Sequence, residues 1–290
     1  LNTNRSVIVA LSDTHAGHKL GLCNPETILS RENKDGTVTK YEIGHPTEVS
    51  QYLWELYSQH VQTVMQIAGG DDLIVFHLGD LTQGNRFGNE LISNAIADQF
   101  IIAEYNLIPW FLYKNLIAME IFKGTIAHNF GMGTSDTVTE GYLSRRFPHH
   151  KIEALWHGLF NHRGLTMDVA HHGPPIGKRN WLIGNEARYY LKSLIKDEID
   201  HGGVPPRLIL RGHRHTLAKE TISMFVKDKE IEVTLISLPS YCGFGEYTQQ
   251  ITLHFPFVTN GMVVFEVLDG QIHKTHFLIQ TLDIRTRKEI

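Results

Sequence analysis

Acidic and imidazole side chains recur in this 290-residue chain directly after short apolar runs. Asp13-Thr14-His15 follows VIVALS, Gly79-Asp80 follows LIVFHL, His171-His172 follows LTMDVA, and Gly212-His213-Arg214-His215 follows RLIL and Arg211. A fifth stretch, Gly124-Thr125-Ile126-Ala127-His128-Asn129, follows MEIFK. Carboxylate oxygens and neutral imidazole nitrogens together suit divalent Mn, Fe, Co, Ni or Zn. In extended backbone, residues i and i+2 point the same way. Asp13 and His15 can therefore reach one ion, and so can His213 and His215. Taken singly, each pattern has an ordinary reading as a hydrogen-bonded turn or a polar loop. Their recurrence, each after its own strand, makes metal binding the expectation, because a strand end holds a ligand rigidly while leaving it open on one side.

The elements that must position these residues are legible in the apolar pattern. Val7–Leu11, Leu73–Leu78, Glu120–Lys123, Leu165–Ala170 and Arg207–Leu210 read as short strands, the first two of them buried. A helix is predicted after Thr47 as N-cap, with apolar positions from Val49 to Ala68 at three- and four-residue steps and a stop at Gly69-Gly70. A second helical pattern runs from near Asn89 to about Ile117 with a break at Pro109. Further helices are predicted over Asp136–Arg146 and Glu186–Ile199. Residues 21–46 hold Pro25, Asn33-Lys34-Asp35-Gly36 and Pro46, and read as an irregular insertion with a hairpin turning at Asp35-Gly36. The end of the chain is strand-rich: Glu232–Leu238, Val263–Val267 and Lys274–Ile279, with Asp269-Gly270 as a turn. Strand–helix alternation followed by hairpins predicts one α/β domain over residues 1–290, a two-sheet mixed β sandwich flanked by helices.

Composition narrows the function classes. Apolar residues make up 42% and charged residues 20%, which is globular rather than disordered. The formal charge of −4, from 27 Lys+Arg against 31 Asp+Glu, argues against a non-specific nucleic-acid coat. Cys23 and Cys242 are too few to staple the fold and fit a reduced, intracellular setting. Leu1–Ser6 have no signal-peptide pattern, and the apolar stretch from Leu91 to Met119 is broken by Asp98, Glu104, Asn106 and Lys114, so no membrane partner is expected. No Walker A, nucleophile elbow or dinucleotide fingerprint is present.

The ordered set from Val7 to His215 resembles the calcineurin-like metallophosphoesterase superfamily. That resemblance implies a four-layer α/β/β/α fold and two divalent metal ions, manganese first, with Fe, Zn, Ni or Co as alternatives. It implies that Asp13, His15, Asp80 and His215 hold one metal, and that Asp80, His213 and either His171 or His172 hold the second. The superfamily's usual third motif, Gly-Asn-His-Asp/Glu, is replaced here by the stretch from Gly124 to Asn129. Gly-Thr-x-x-His is similar to a variant in a phage and prophage branch, as are GLCNPE (Gly21–Glu26), SNAIADQ (Ser93–Gln99) and AHHGPP (Ala170–Pro175). In this variant either His128 replaces the Asn ligand or meets the phosphate, or Asn129 supplies the missing ligand. The implied activity is phosphoester hydrolysis, with Asp80 bridging two ions about 3.5–4 Å apart and a bridging hydroxide attacking phosphorus. His128 would stabilise the phosphoryl group or protonate the leaving oxygen. Arg211, Arg214 and Asn129 are the candidate substrate contacts, with salt bridging at the surface or behind the metal ligands as the plainer reading of the two arginines. The substrate expected is a phosphodiester, with nucleic acid or a nucleotide as the partner and a nuclease as the leading form. Alternatives are a phosphomonoesterase, a small cyclic-nucleotide phosphodiesterase or an inactive binding scaffold, and the expected location is cytoplasmic, with a phage or prophage origin.

The remaining candidates have bland readings. His77 reads as a core histidine or one orienting a ligand, and His149, His150 and His162 as surface or loop positions. Trp54, Trp110, Trp156 and Trp181 read as packing, with base stacking by Trp181 or Tyr241 the sharper alternative. Ser240–Gly245 reads as a surface turn or a cleft-lining loop.

Overall fold

The computed structural model describes residues 4–86, 88–128, 130, 135–175, 182, 184–226, 229–245, 249 and 255–288. Asn129 and Trp181 lie outside them. Two mixed sheets stack face to face with helices on both outer sides, the four-layer α/β/β/α architecture that was expected.

The first sheet is built around β1 (Arg5–Leu11). It pairs in parallel with β4 (Asp72–His77), which continues in parallel to β5 (Leu116–Phe122) and β6 (Lys151–Leu155). On its other edge β12 (Phe257–Leu268) and β13 (Gln271–Asp283) add an antiparallel hairpin. The second sheet is centred on β8 (Leu165–Ala170) and the parallel β9 (Leu208–Arg211). It is completed by β7 (His157–His162) beside β8, and by β11 (Lys229–Ser237) and β10 (Ala218–Val226) beyond β9.

Alternation along the strands builds the layers. Ile8, Ala10, Ile74, Phe76 and Phe122 meet Leu165, Met167, Val169, Leu208, Leu210 and Ile236 between the sheets. Val7, Val9, Leu11, Leu73 and Val75 point the other way and pack under α1 (Glu48–Ala68), α2 (Ile96–Phe111) and α3 (Ser135–Arg146). On the far side α4 (Asn185–Asp200) packs Ala187, Leu191 and Ile195 onto Ile209, Val233 and Leu235. Both sheets need apolar residues on both faces, so β1 reads as a continuous apolar run.

Local signals explain several boundaries. Thr47 caps α1 in a capping box with Ser50, and Gly69 closes it in the left-handed conformation at φ 57°. The insertion carries a hairpin, β2 (Ile28–Glu32) with β3 (Val38–Glu42), which turns through Asn33–Thr37 around Gly36.

The long helical pattern expected from Asn89 to Ile117 is corrected. It divides into a 3-10 turn at Gly88–Glu90, a connecting loop, α2 and β5. Pro109 sits inside the last turns of α2 rather than breaking it. The carbonyl of Tyr105, which Pro109 cannot serve, accepts instead from Asn24 Nδ2 at 3.1 Å. The strand expected at Glu120–Lys123 is present as β5, which begins earlier, at Leu116; there a buried parallel strand is as apolar as a buried helix, and periodicity cannot separate them. Strands β6 and β7, which the apolar pattern did not pick out, complete the sheet edges. Among the described residues, no helix is long and apolar enough to cross a membrane.

Candidate metal centre

The strand register sets the site. Leu11 pairs with His77, and His77 with Ile121, so β1, β4 and β5 end at one level of the first sheet. Ala170 pairs with Arg211, and Arg211 with Ser237, so β8, β9 and β11 end together in the second. The loops after these ends converge between the sheets and carry the acidic and imidazole groups singled out in the sequence.

Four overlapping groups of donors form there, with the ligand atoms of each within 4.8 Å of one another: Asp13, His15 and His215; His15, Asp80 and His128; Asp13, Asp80 and His171; and His171, His172 and His213. Asp13 Oδ1 lies 3.2 Å from His215 Nε2 and 3.9 Å from His15 Nε2, and the two imidazole nitrogens are 3.2 Å apart. Asp80 Oδ2 lies 3.1 Å from His171 Nε2 and 3.8 Å from His128 Nε2. Asp13, Asp80 and His171 are almost wholly buried. Of the two adjacent histidines, His171 is buried against Asp80, whereas His172 is exposed and lies edge-on to His171 and His213.

The backbone is strained at this place. Asp13, His15, Asp80, His213 and His215 all have φ between 46° and 72°, and they are five of the seven non-glycine residues of positive φ among those described. That conformation costs energy for side chains of this kind and clusters where function demands a geometry. Close approach adds a second constraint: a Cβ on Gly124 would lie 2.1 Å from Asp80 Oδ1 and 2.3 Å from Asp80 N. Glycine there lets the loop after β5 lie directly on the loop after β4.

Hydrogen bonds aim the rings. His171 Nδ1 bonds to the Leu78 carbonyl, which turns Nε2 toward Asp80. His128 Nδ1 donates to the Gln83 carbonyl at 2.7 Å, which turns its Nε2 the same way. A neutral imidazole held by one nitrogen offers the other as a lone-pair donor. Asp13 Oδ2 accepts from Ser12 Oγ and, at 2.9 Å, from the His213 backbone N–H. Among the described residues, Asp13 Oδ1, His15 Nδ1 and His215 Nδ1 are buried without a hydrogen-bond partner. An anionic, strained and incompletely bonded cluster of this composition fits divalent cations.

The charges are mutually dependent. Burial opposes ionisation of Asp13, but His215 and His171 outweigh it and hold the carboxyl below its usual range. Burial likewise opposes Asp80, and His171, His128 and His15 outweigh it. Burial, then His128 and His215, keep His15 well below 6.5. His213 is pushed down to about 4 by burial and His171. His171 goes the other way: burial disfavours its cation, but Asp80 and then Asp13 overcome this and raise it to about 9.

Other expectations meet the structure less well. Arg211 is 1% exposed; Nη2 pairs with Asp168 Oδ1 at 2.5 Å, Nη1 donates to the carbonyls of Asp168 and Leu210, and Nε donates to Tyr190. Of its two readings the salt-bridging one describes it, as a buried strut, because β9 extends one residue further than the apolar pattern suggested and carries Arg211 into the sheet. Arg214 is exposed beside His172 and His213, where its charge disfavours their protonation. His77 is buried with Nε2 3.1 Å from Thr14 Oγ1, and burial pulls it down to about 4. Half-buried His150, in the loop between α3 and β6, bonds to the Leu116 carbonyl, and half-buried His162, at the end of β7, bonds to Ser6 Oγ. Trp110 packs in the core, but Trp156 is 58% exposed under Lys123. Tyr241 is buried with its hydroxyl 2.8 Å from His60 Nδ1, so it has no face for base stacking. Its loop is not a surface turn: Tyr241 N donates to the Asp13 carbonyl at 3.2 Å.

Three polar residues at the centre escaped the sequence reading. Thr125 donates from its backbone N–H to Asp80 Oδ1 at 2.6 Å. Asp136, buried on α3, accepts from Gly124 N at 2.9 Å, and burial raises it to about 6. Buried His18 pairs with Glu90 at 3.1 Å. Thr and lone Asp or His residues carry no motif of their own, and only Thr125 lay inside a stretch already singled out.

No protein-family model matches the chain. No curated protein matches it either. Among solved structures, a protein of unknown function from Aquifex aeolicus is similar at 15% identity, with a TM-score of 0.32 over 73% of this chain and 80% of its own. A metallophosphoesterase from Sphaerobacter thermophilus is similar at 10% identity, with a TM-score of 0.34 over 97% of this chain and 89% of its own.

Proposed function

We propose that this chain is a two-metal phosphoesterase of the calcineurin-like kind, acting on phosphodiesters. The observation that carries the proposal is the overlap of the donor groups: Asp80 belongs to two of the four and lies between His128 and His171, so one carboxylate can serve two ions. On this reading Asp13, His15, Asp80 and His215 hold one cation, and Asp80, His171 and His213 the other. Bound divalent cations would neutralise phosphate oxygens and lower the pKa of a coordinated water toward neutrality.

The protein's own groups supply the rest. Asp80 keeps the two halves of the site at one spacing, because Thr125 clamps both of its oxygens. His128 presents Nε2 toward the site, with Nδ1 anchored on the Gln83 carbonyl. It can meet the phosphoryl group and hold or deliver a proton at Nε2 as the leaving oxygen departs. Exposed Arg214 offers a guanidinium at the mouth for a second phosphate oxygen. Phosphodiesters, including those of nucleic acid, are the substrate class proposed.

The test is hydrolysis of bis-p-nitrophenyl phosphate by chelator-treated protein with Mn²⁺, Fe²⁺, Co²⁺, Ni²⁺ or Zn²⁺ added back. Turnover should appear with metal, vanish with chelator and be lost in Asp80→Asn while unfolding stays cooperative. Hydrolysis that is indifferent to chelator, or full activity in Asp80→Asn, overturns the proposal.

A further inference from the structure

The geometry points to the Thr125 hydroxyl as an oxygen ligand of the second metal, in the position that a side-chain amide would otherwise fill. This rests on the two-metal reading above. Thr125 Oγ1 lies 3.1 Å from Asp80 Oδ2, 3.2 Å from His171 Nε2 and 3.1 Å from His213 Nδ1. Asp80 Oδ2 and His171 Nε2 are themselves 3.1 Å apart. First-row divalent ions hold oxygen and nitrogen donors at about 2.0–2.2 Å, which puts donors on adjacent coordination positions about 3 Å apart. The spacings around Thr125 match that edge length to three different side chains, and each of the three is one assigned to the second metal on independent grounds.

His128 does not occupy this position. Its donor atom groups with His15 and Asp80, its ring lies 4.6 Å from that of His15, and its Nδ1 is committed to Gln83. It therefore stands on the first metal's side of Asp80. A hydroxyl and an amide oxygen are both neutral donors, so exchanging one for the other leaves the charge of the site unchanged. The hydroxyl also has a proton, which it can donate to Asp80 Oδ2 while a lone pair remains for the ion. The backbone supports the arrangement. Thr125 N donates to Asp80 Oδ1, and Gly124 N to buried Asp136, so the residue is held from both sides.

The test is metal stoichiometry, by equilibrium dialysis of chelator-treated protein against Mn²⁺ followed by elemental analysis. Wild type should bind two ions. Thr125→Val, which keeps the shape and removes the hydroxyl, should keep one and bind the other at least about tenfold more weakly. Thr125→Ser should restore two. A second readout is independent of occupancy. Thr125→Cys loaded with Co²⁺ should show a sulfur-to-cobalt charge-transfer band in the near ultraviolet, which requires direct contact between the side chain and the ion. If Thr125→Val does not fold, this band decides. Two ions of unchanged affinity in Thr125→Val, or a cobalt-loaded Thr125→Cys without the band, overturns the ligand role and leaves the two-metal reading intact. Fewer than two ions in wild type removes both.

Discussion

Without cations, His171 should carry a proton that a metal must displace. Its Nε2 faces Asp80 Oδ2 at 3.1 Å, and although burial disfavours the cation, Asp80 and Asp13 raise it from 6.5 to about 9. That shift corresponds to on the order of 3 kcal/mol. The sign follows from the raised value. In metal-free protein the contribution is fully present below the unfolded value of 6.5 and is lost as pH rises through about 9. A metal needs the Nε2 lone pair, so binding at pH 7 should expel about one proton from His171. Apparent affinity at the second site should then rise about tenfold per pH unit between 7 and 8. Calorimetric titration of Mn²⁺ into chelator-treated protein, in two buffers of different protonation enthalpy, reads the proton release directly. In metal-free Asp80→Asn, the His171 resonance should titrate at lower pH, because burial then meets less opposition. Binding at pH 7 without proton release, together with flat affinity across that range, would refute the charge coupling described here.

Two further perturbations separate the site from its supports. Gly124→Ala puts a methyl group against the backbone and carboxylate of Asp80. A displacement of that kind near reacting atoms should cost about 100-fold in the rate of the proposed phosphodiester hydrolysis, and an unchanged rate would show that the close approach is not needed. Arg211→Met leaves Asp168 without its buried partner and should cost about 3 kcal/mol or more in urea denaturation, with Mn²⁺ binding unaffected. An unshifted midpoint with lost turnover would return Arg211 to the role of a phosphate contact.

Much of the architecture was legible because its causes are local. A run such as Val7–Leu11 is apolar on both faces only if something covers both faces, and here helices cover one and a second sheet the other. Thr47 and Gly69 mark the ends of α1 through hydrogen bonds and a backbone conformation that neighbouring residues dictate. The pattern misled where a buried strand and a buried helix look alike: the helical reading ran on to Ile117, inside β5, although the strand at Glu120–Lys123 was legible. It also stopped one residue short at Arg211, whose guanidinium is hidden by a partner 43 residues away in Asp168.

The residue order alone determined that strands would end in acidic and imidazole groups, and hence that metal chemistry was the reading to test. It could not decide which groups meet. Convergence depends on two sheets stacking so that the ends of β1, β4 and β5 face those of β8 and β9, a long-range packing outcome. That stacking separates buried His171 from exposed His172, turns Arg211 inward, and brings the Thr125 hydroxyl to Asp80, His171 and His213. A threonine has no signature in sequence, and only the three side chains around it give its oxygen a meaning.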